Sequence, residues 1–295
     1  MTIKYYGDKP PSTYLHTTKY KVTLQDHLVS MTVSRTMDQV SELSIVIDDP
    51  GFELIRKIGN PNNGRVETMG LNYIVDSFDL EAGGGAGGIK LNARPRTVRR
   101  LKDRRGTLIM NNASPTDFAR REVEAAGGRF VGQSSARRKR VAREVQGKNE
   151  TTGKSDQDKA SSWTTIGTLA SELGYVFYED DNTFYFGKPS WIMANSRAGR
   201  IKVDMKHSTP SMRPTTLPEL HVSLDDPKKI EYSFQMGVEF AVDVRPGTRV
   251  DLKNFPLYNQ SYLLTSIDHP IYGSASDLSL SLQTPVDPEI QKAST

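Results

Sequence analysis

Two pairs of similar segments, far apart in the chain, constrain the fold more than any other feature. Residues 42–50 read Glu-Leu-Ser-Ile-Val-Ile-Asp-Asp-Pro, and residues 219–227 read Glu-Leu-His-Val-Ser-Leu-Asp-Asp-Pro, 177 positions later. A second pair follows in the same order, because Tyr73-Ile-Val-Asp-Ser-Phe-Asp79 is similar to Tyr262-Leu-Leu-Thr-Ser-Ile-Asp268. These two matches predict a β-rich unit that is used twice, once near each end of the chain.

Alternation of apolar and polar residues surrounds both copies. It runs along residues 19–24, 29–33, 201–205 and 278–282. Neighbouring residues of a strand point to opposite faces, so this period of two indicates strands with one buried face.

The middle of the chain has a different pattern, which predicts two helices and a hairpin. Ser114-Pro115-Thr116-Asp117 combines a Ser cap, Pro at the first helical position and an acid in the first turn, and Gly127 ends that helix. Ser162 is predicted to cap a second helix that runs from Trp163 to Leu173. Aromatic strands then flank the acidic turn Glu179–Asn182, which predicts a hairpin.

These patterns predict an α+β, β-rich chain in three parts. Residues 1–98 would form an N-terminal extended arm and the first β domain. Residues 99–190 would form an α/β domain that contains a basic loop at 132–161. Residues 191–295 would form the second β domain and a C-terminal tail.

Positive charge is concentrated in the middle of the chain. The formal net charge is only +4, yet residues 94–143 carry 15 Lys and Arg against 4 Asp and Glu. The run Arg137-Arg138-Lys139-Arg140 lies in the predicted loop and is the candidate partner-binding site. Basic loops contact phosphates or acidic protein surfaces, so a nucleic-acid-binding module using residues 94–143 is the alternative function. A solvated loop without a partner remains open as well, and no stacking aromatic residues are interleaved with the run.

Motifs for catalysis and cofactor binding are missing from the sequence. Neither the glycine run at 83–88 nor Gly153-Lys154-Ser155 has the strand, loop and helix of a phosphate-binding site. The chain has no cysteine, and its five histidines lack zinc-ligand spacing. The pairs at 48–49 and 225–226 precede proline at strand ends and are predicted to be turns. We therefore expect no enzyme activity, no metal and no cofactor.

The sequence also bears on where the chain acts. It holds no run of about 18 apolar residues, so no membrane-spanning segment is expected. The first residues lack the apolar segment of a secretory signal, so we expect assembly in a cytoplasm.

Four segments, in their order and spacing, carry a resemblance to a known family. They are Leu43-Ser-Ile-Val-Ile-Asp-Asp49, Ser114-Pro-Thr-Asp-Phe-Ala119, the region from Ser162-Trp163 to Pro189, and Tyr262-Leu-Leu-Thr-Ser-Ile-Asp-His269. With them the chain resembles the tail-hub, or baseplate-hub, proteins of phage tails and contractile injection systems. That family includes the late-control D proteins and the N-terminal part of type VI secretion spike proteins. The resemblance covers most of residues 20–288.

The resemblance implies a fold and an assembly. It implies two similar β-barrel domains in tandem, with an α/β domain between them, in a homotrimer that has no catalytic role. Three chains with two barrels each would form a pseudo-sixfold ring that adapts a hexameric tail tube to a trimeric spike. The expected partners are the tail tube protein, the spike protein and other baseplate proteins, with DNA or a tape-measure protein in the lumen. The expected location is the virion tail or baseplate, or an injection particle.

Overall fold

The computed structural model divides the chain into two compact units. It describes residues 9–37, 39–83, 86–135, 139–143, 161–195, 198–209, 213–225, 228–237, 244–273 and 277–285. The first unit joins the described residues of Met1–Arg96 to those of Ser196–Pro285, and the second lies within Thr97–Asn195. The first unit therefore combines a segment from the N-terminal third of the sequence with one from the C-terminal third.

The N-terminal half of the first unit is an antiparallel set of seven strands. They are β1 (Thr13–His16), β2 (Lys21–Thr23), β3 (Leu28–Thr36), β4 (Glu42–Asp48), β5 (Arg65–Thr68), β6 (Leu71–Gly83) and β7 (Ala86–Pro95). They pair in the order β3-β4-β7-β6-β5-β1-β2. The predicted extended arm is thus partly a paired strand, β1, while residues 1–8 lie outside the described residues.

The C-terminal half of the first unit contributes six strands. They are β13 (Arg200–Asp204), β14 (Glu219–Val222), β15 (Ile230–Gly237), β16 (Arg249–Lys253), β17 (Ser261–Tyr272) and β18 (Asp277–Gln283). Strands β14, β15, β18 and β17 pair antiparallel in that order, and β16 pairs antiparallel with β17. Strand β13 lies parallel to β16.

Both halves belong to one 13-stranded sheet, because β17 pairs antiparallel with β3. Apolar side chains of these strands are buried in two cores, one in each half, and Ile271 of β17 belongs to the core of the N-terminal half. The prediction of a β-rich chain with some helices is confirmed. The strand pairs of the described residues do not close either half into a barrel.

A short helix, α1 (Glu53–Ile58), follows β4 and explains the first Asp-Asp-Pro segment. The buried carboxylate of Asp49 accepts hydrogen bonds from the backbone N–H groups of Leu54 (2.8 Å) and Ile55 (3.0 Å). A negative charge at a helix N-terminus satisfies donors that lack a partner within the helix. Gly59, with a φ of 71°, ends the helix. Asp48 therefore ends strand β4, and Asp49 begins the turn that was predicted for this pair.

The second unit surrounds a small mixed sheet with helices. Its elements are α2 (Arg96–Asp103), β8 (Leu108–Ala113), α3 (Pro115–Ala126), β9 (Arg129–Gly132), β10 (Lys139–Arg143), α4 (Ser162–Glu172), β11 (Val176–Asp180), β12 (Thr183–Gly187) and α5 (Pro189–Asn195). Strands β11 and β12 form an antiparallel hairpin, and β9 pairs parallel to β12. Strand β10 pairs with β8.

The helix starts in this unit follow the sequence, with one correction. Ser114 and Asp117 form a capping box at the start of α3, and Gly127 ends that helix with a φ of 89°. The cap of α4 is Ser161, not Ser162, because the Ser161 side chain accepts from the Thr164 N–H at 3.1 Å. Ser162 is instead fully buried in a polar cluster described below.

Two further sequence predictions in this unit need correction. The hairpin tip is only Asp181-Asn182, both with positive φ, while Glu179 and Asp180 are buried strand residues. Positive φ at both central residues gives a two-residue turn whose twist matches the strands. The polar loop predicted at 132–161 contains strand β10, because β8 supplies a partner that the local sequence does not reveal.

Two negative findings apply to the described residues only. Among them, no helix is long and apolar enough to cross a membrane. Within the same ranges, no group of three or more His, Cys, Asp or Glu side chains could hold a metal ion.

Candidate functional site: two equivalent half-sheets and their junction

The two halves of the sheet have the same strand register. The pairs of β6 with β7 become those of β17 with β18 when 189 is added to every residue number. Val75–Ala93 becomes Leu264–Leu282, Ser77–Asn92 becomes Ser266–Ser281, and Phe78–Leu91 becomes Ile267–Leu280. A bulge between Val75 and Ser77 recurs between Leu264 and Ser266. A bulge displaces one residue from the ladder, so its recurrence at the same position marks equivalent strands.

The next strand of each half follows the same rule. Adding 189 turns the β4–β7 pairs Leu43–Ala93, Ile45–Leu91 and Ile47–Ile89 into the β15–β18 pairs Tyr232–Leu282, Phe234–Leu280 and Met236–Leu278. All of these side chains are buried. Because register decides which face each residue presents, the two cores are built from equivalent positions.

The turn that enters β5 also recurs before β16, at a spacing of 184 residues. The N–H of Gly64 donates to the Pro61 carbonyl at 2.8 Å, and that of Thr248 donates to the Arg245 carbonyl at 3.0 Å. The β5–β6 pair Val66–Tyr73 then corresponds to the β16–β17 pair Val250–Tyr262. The shorter spacing reflects a longer connection between β16 and β17.

This register corrects one of the two sequence matches. The match of Tyr73–Asp79 with Tyr262–Asp268 joins equivalent strands, β6 and β17. The match of residues 42–50 with 219–227 does not, since β4 is equivalent to β15. Strand β14 pairs with β15 as β3 pairs with β4, with Leu220 opposite Tyr232 and Val33 opposite Leu43. Asp225 is exposed, and residues 226–227 lie outside the described residues.

The halves differ at one edge strand. Strand β1 runs antiparallel to β5, whereas β13 runs parallel to β16. The duplicated unit is therefore the five-strand set β3-β4-β7-β6-β5, repeated as β14-β15-β18-β17-β16.

The junction between the halves is a strand pair between β17 and β3. Ile267 lies opposite Arg35, Asp268 opposite Ser34, and His269 opposite Val33. Residues 266–268 pair with β18 and with β3 at once, so these two strands lie on opposite edges of β17. Each half therefore contributes a different edge to the junction.

His269 is a buried polar residue at this junction. Its side chain is 3% exposed, and its Nε2 donates to the Val244 carbonyl at 3.2 Å. Burial lowers the pKa of His269 to about 3, and the charge of Arg35 acts in the same direction. The imidazole is therefore neutral at physiological pH and serves the packing of the junction.

The basic run is divided between described and undescribed residues. Arg137 and Arg138 lie outside the described residues, and Lys139 and Arg140 belong to β10. Arg140 is exposed. The proposed role of Arg137, Arg138, Lys139 and Arg140 in partner binding stays a prediction.

Other charges of the basic segment are neutralised within the chain. Arg94 pairs with Asp76 at 3.0 Å and with Glu42 at 3.7 Å, and Arg99 pairs with Asp103 at 3.1 Å. These pairs reduce the positive charge that residues 94–143 offer to an anionic partner.

A buried charged cluster in the second unit was not evident from the sequence. The carboxylate of Glu122 on α3 accepts from Arg104 Nε at 3.2 Å and also from Arg143 and Ser162. Arg143 donates to the Gly106 carbonyl at 2.7 Å. Burial acts to raise the pKa of Glu122, but hydrogen bonds from Arg104 and Ser162 and the two arginine charges outweigh it and hold the pKa below its usual value. The cluster ties α3, α4 and β10 together.

Comparison with known proteins yields structural matches but no sequence matches. No family model matches the chain. No curated protein matches it significantly in sequence. A tail protein of prophage MuSo2 from Shewanella oneidensis matches 93% of this chain and 97% of its own, with a TM-score of 0.60 and 10% identity. A tail protein from Neisseria meningitidis MC58 matches 93% of this chain and 96% of its own, with a TM-score of 0.61 and 10% identity.

A secretion-system protein has a similar fold. The E. coli c3393 protein, a component of the type VI secretion system, covers 90% of this chain and 76% of its own, with a TM-score of 0.57 and 10% identity. The fold of this chain is thus that of phage tail proteins and related type VI secretion components. The resemblance to phage tail-hub proteins is confirmed at the level of the fold.

Proposed function

We propose that the chain is a structural hub of a phage tail or contractile injection system. In this proposal it forms a homotrimer with two similar β-barrel domains in each chain. The three domains over residues 1–98, 99–190 and 191–295 belong to the same proposal. The hub would adapt a hexameric tail tube to a trimeric spike and contact other baseplate proteins. It would have no catalytic activity.

The duplicated register is the observation that supports this proposal most. One chain carries two half-sheets with the same strand order, bulge and core positions, joined edge to edge. Three such chains would present six similar surfaces, which can match a sixfold tube, while the chain itself repeats only three times. A duplication of this kind has an evident use in an adaptor between sixfold and threefold partners.

The fold similarity supports the same class of function. The matched proteins from Shewanella oneidensis and Neisseria meningitidis are tail proteins, and each is covered almost completely by this chain. The location that belongs to this proposal is the virion tail or baseplate, or an injection particle, after assembly in the bacterial cytoplasm.

Light scattering and electron microscopy test the hub directly. Purified protein should have about three times the chain mass and should form rings with threefold symmetry and six similar lobes. Tube and spike proteins should bind opposite faces of the ring. A stable monomer at the protein concentrations of assembly would overturn the proposal.

Nucleic-acid binding is a weaker candidate that rests on the basic run. A DNA-binding site at Arg137–Arg140 would give retention that falls steeply with salt, because bound phosphates release counterions. Replacing all four residues with Ser should then abolish retention and flatten the salt dependence. Unchanged retention would exclude this site, including as a contact with DNA in the lumen.

A further inference from the structure

At two positions a strand edge is paired in one half-sheet, while the equivalent edge of the other half-sheet has no strand partner among the described residues. The edge of β17 that meets β3 corresponds to the edge of β6 beyond Val75. The edge of β3 that meets β17 corresponds to the outer edge of β14. Among the described residues, no strand pairs with either of these two edges.

Exposure at the free edges matches the absence of a partner. Ile267 and His269 are buried at the internal junction. Their equivalents on β6 lie 189 positions earlier. They are Phe78, which is half-buried, and Leu80, which is 52% exposed. An exposed strand edge with apolar side chains is a template for pairing with another chain.

We propose that the edge of β6 pairs antiparallel with the edge of β14 of a second copy of this chain. The internal junction supplies the register. Each residue of a junction pair is replaced by its equivalent in the other half-sheet. The junction pairs Ile267–Arg35, Asp268–Ser34 and His269–Val33 then predict the intermolecular pairs Phe78–Val222, Asp79–His221 and Leu80–Leu220. The second residue of each predicted pair belongs to the other copy. This inference rests on the proposed function only for the number of copies in the ring.

The transferred register brings complementary side chains together. Two pairs are apolar, and between them the carboxylate of Asp79 faces the imidazole of His221. Cross-strand apolar pairs and cross-strand hydrogen bonds between polar side chains stabilise antiparallel strands.

The pairing of two unlike edges also explains how several copies close into a ring. The β6 edge and the β14 edge differ, so each copy uses one to receive a neighbour and the other to join the next. A contact between unlike surfaces generates a ring when its rotation closes. The internal β17–β3 junction is the same type of contact, so internal and intermolecular junctions would alternate around the ring.

Engineered cysteines test the register, because the natural chain contains none. We expect the double variant Leu80→Cys, Leu220→Cys to form disulfide-linked oligomers under mild oxidation, visible on non-reducing gels. The matched control is Leu80→Cys with Leu224→Cys. Leu224 is 98% exposed and therefore more open to random collision, but it lies four residues out of register. Equal cross-linking of the two variants, or none in the first, would overturn the proposed pairing.

A charge on the free edge gives an independent test. We expect Leu80→Lys to weaken self-association about tenfold or more, because the pairing would bury an ammonium group against an apolar side chain. The control is Leu217→Lys, since Leu217 is 85% exposed and lies outside the three pairs. Unchanged association of Leu80→Lys would overturn the edge pairing.

The two proposals fail in distinguishable ways. A ring that forms normally in Leu80→Lys and gives no register-specific disulfide contradicts the strand pairing but leaves the hub intact. Register-specific disulfides that close into assemblies other than trimers support the pairing and contradict the trimeric hub. A monomer that does not cross-link contradicts both.

Discussion

Val75 and Leu264 make the same two backbone hydrogen bonds in the two halves of the sheet. The N–H of Val75 donates to the Gly64 carbonyl at 2.9 Å, and the Val75 carbonyl accepts from the Asn63 N–H at 3.0 Å. In the same way, the N–H of Leu264 donates to the Thr248 carbonyl, and the Leu264 carbonyl accepts from the Gly247 N–H, both at 2.9 Å. Each residue directly precedes the bulge of its long strand. This shared arrangement is the strongest sign that one structural unit was used twice.

Equivalent core residues should contribute similarly to stability. We expect Ile45→Ala and Phe234→Ala each to lower the free energy of unfolding by about 2–5 kcal/mol, because both side chains are buried and truncation leaves a cavity. Urea titration followed by circular dichroism measures this loss. The exposed control Leu224→Ala should change the free energy by less than about 0.5 kcal/mol. A loss in only one half would contradict the structural equivalence of the two cores.

The neighbouring carboxylates Asp48 and Asp49 should behave very differently. Asp49→Ala should lower the free energy of unfolding by about 1 kcal/mol, because two N–H groups at the start of α1 lose their acceptor. Asp48→Ala is the matched control, since Asp48 is exposed. Thermal unfolding of both variants measures the difference, and equal effects would contradict the cap.

Removing the buried carboxylate of Glu122 should be severe. Glu122→Gln leaves the buried Arg143 without its counter-charge, and breaking such a pair costs about 3–5 kcal/mol. The loss should appear in the urea midpoint and in faster proteolysis of the second unit. Glu124→Gln is the control, because Glu124 is an exposed residue of the same helix. A small effect at Glu122 would contradict a buried ion pair between Glu122 and Arg143.

The junction residue His269 should make stability depend on pH. Its pKa in the folded protein is lowered to about 3 from an ordinary 6.5, so between these values the unfolded chain binds one more proton than the folded chain. Stability from this residue is present above pH 6.5 and should decline as the pH falls, at about 1.4 kcal/mol per pH unit.

Urea titrations between pH 4 and pH 7 measure this slope. The control is His269→Gln, which keeps an N–H donor for the Val244 carbonyl but does not titrate. The slope of the wild type should exceed that of the variant over this window, and parallel curves would contradict a buried neutral imidazole.

Local sequence signals predicted the local structure well. The capping box at Ser114 and the aromatic hairpin at Val176–Gly187 depend on residues only a few positions apart, so their chemistry can be recognised in the sequence. The predicted cap of α4, Ser162, is one residue away from the observed cap, Ser161, because two adjacent serines are equally good caps by sequence. Only burial beside Glu122 and Arg143 assigns Ser162 to the polar cluster.

Distant pairing was harder to predict. Strand β10 lies in a polar segment that resembles a loop, and its partner β8 is recognisable only once the second unit has formed. The four residues Arg137–Arg140 illustrate the same limit, since their composition indicates an anionic partner but does not say which one.

The sequence by itself determined that a β-rich unit recurs, because Tyr73–Asp79 and Tyr262–Asp268 keep their pattern in equivalent strands. Only the tertiary structure decided which residues are equivalent. The two Asp-Asp-Pro segments are 177 residues apart, but equivalent core residues of the two halves are 189 residues apart. The physical reason is that short acidic turns recur wherever strands end, whereas register is fixed by the burial of every second side chain against a whole sheet.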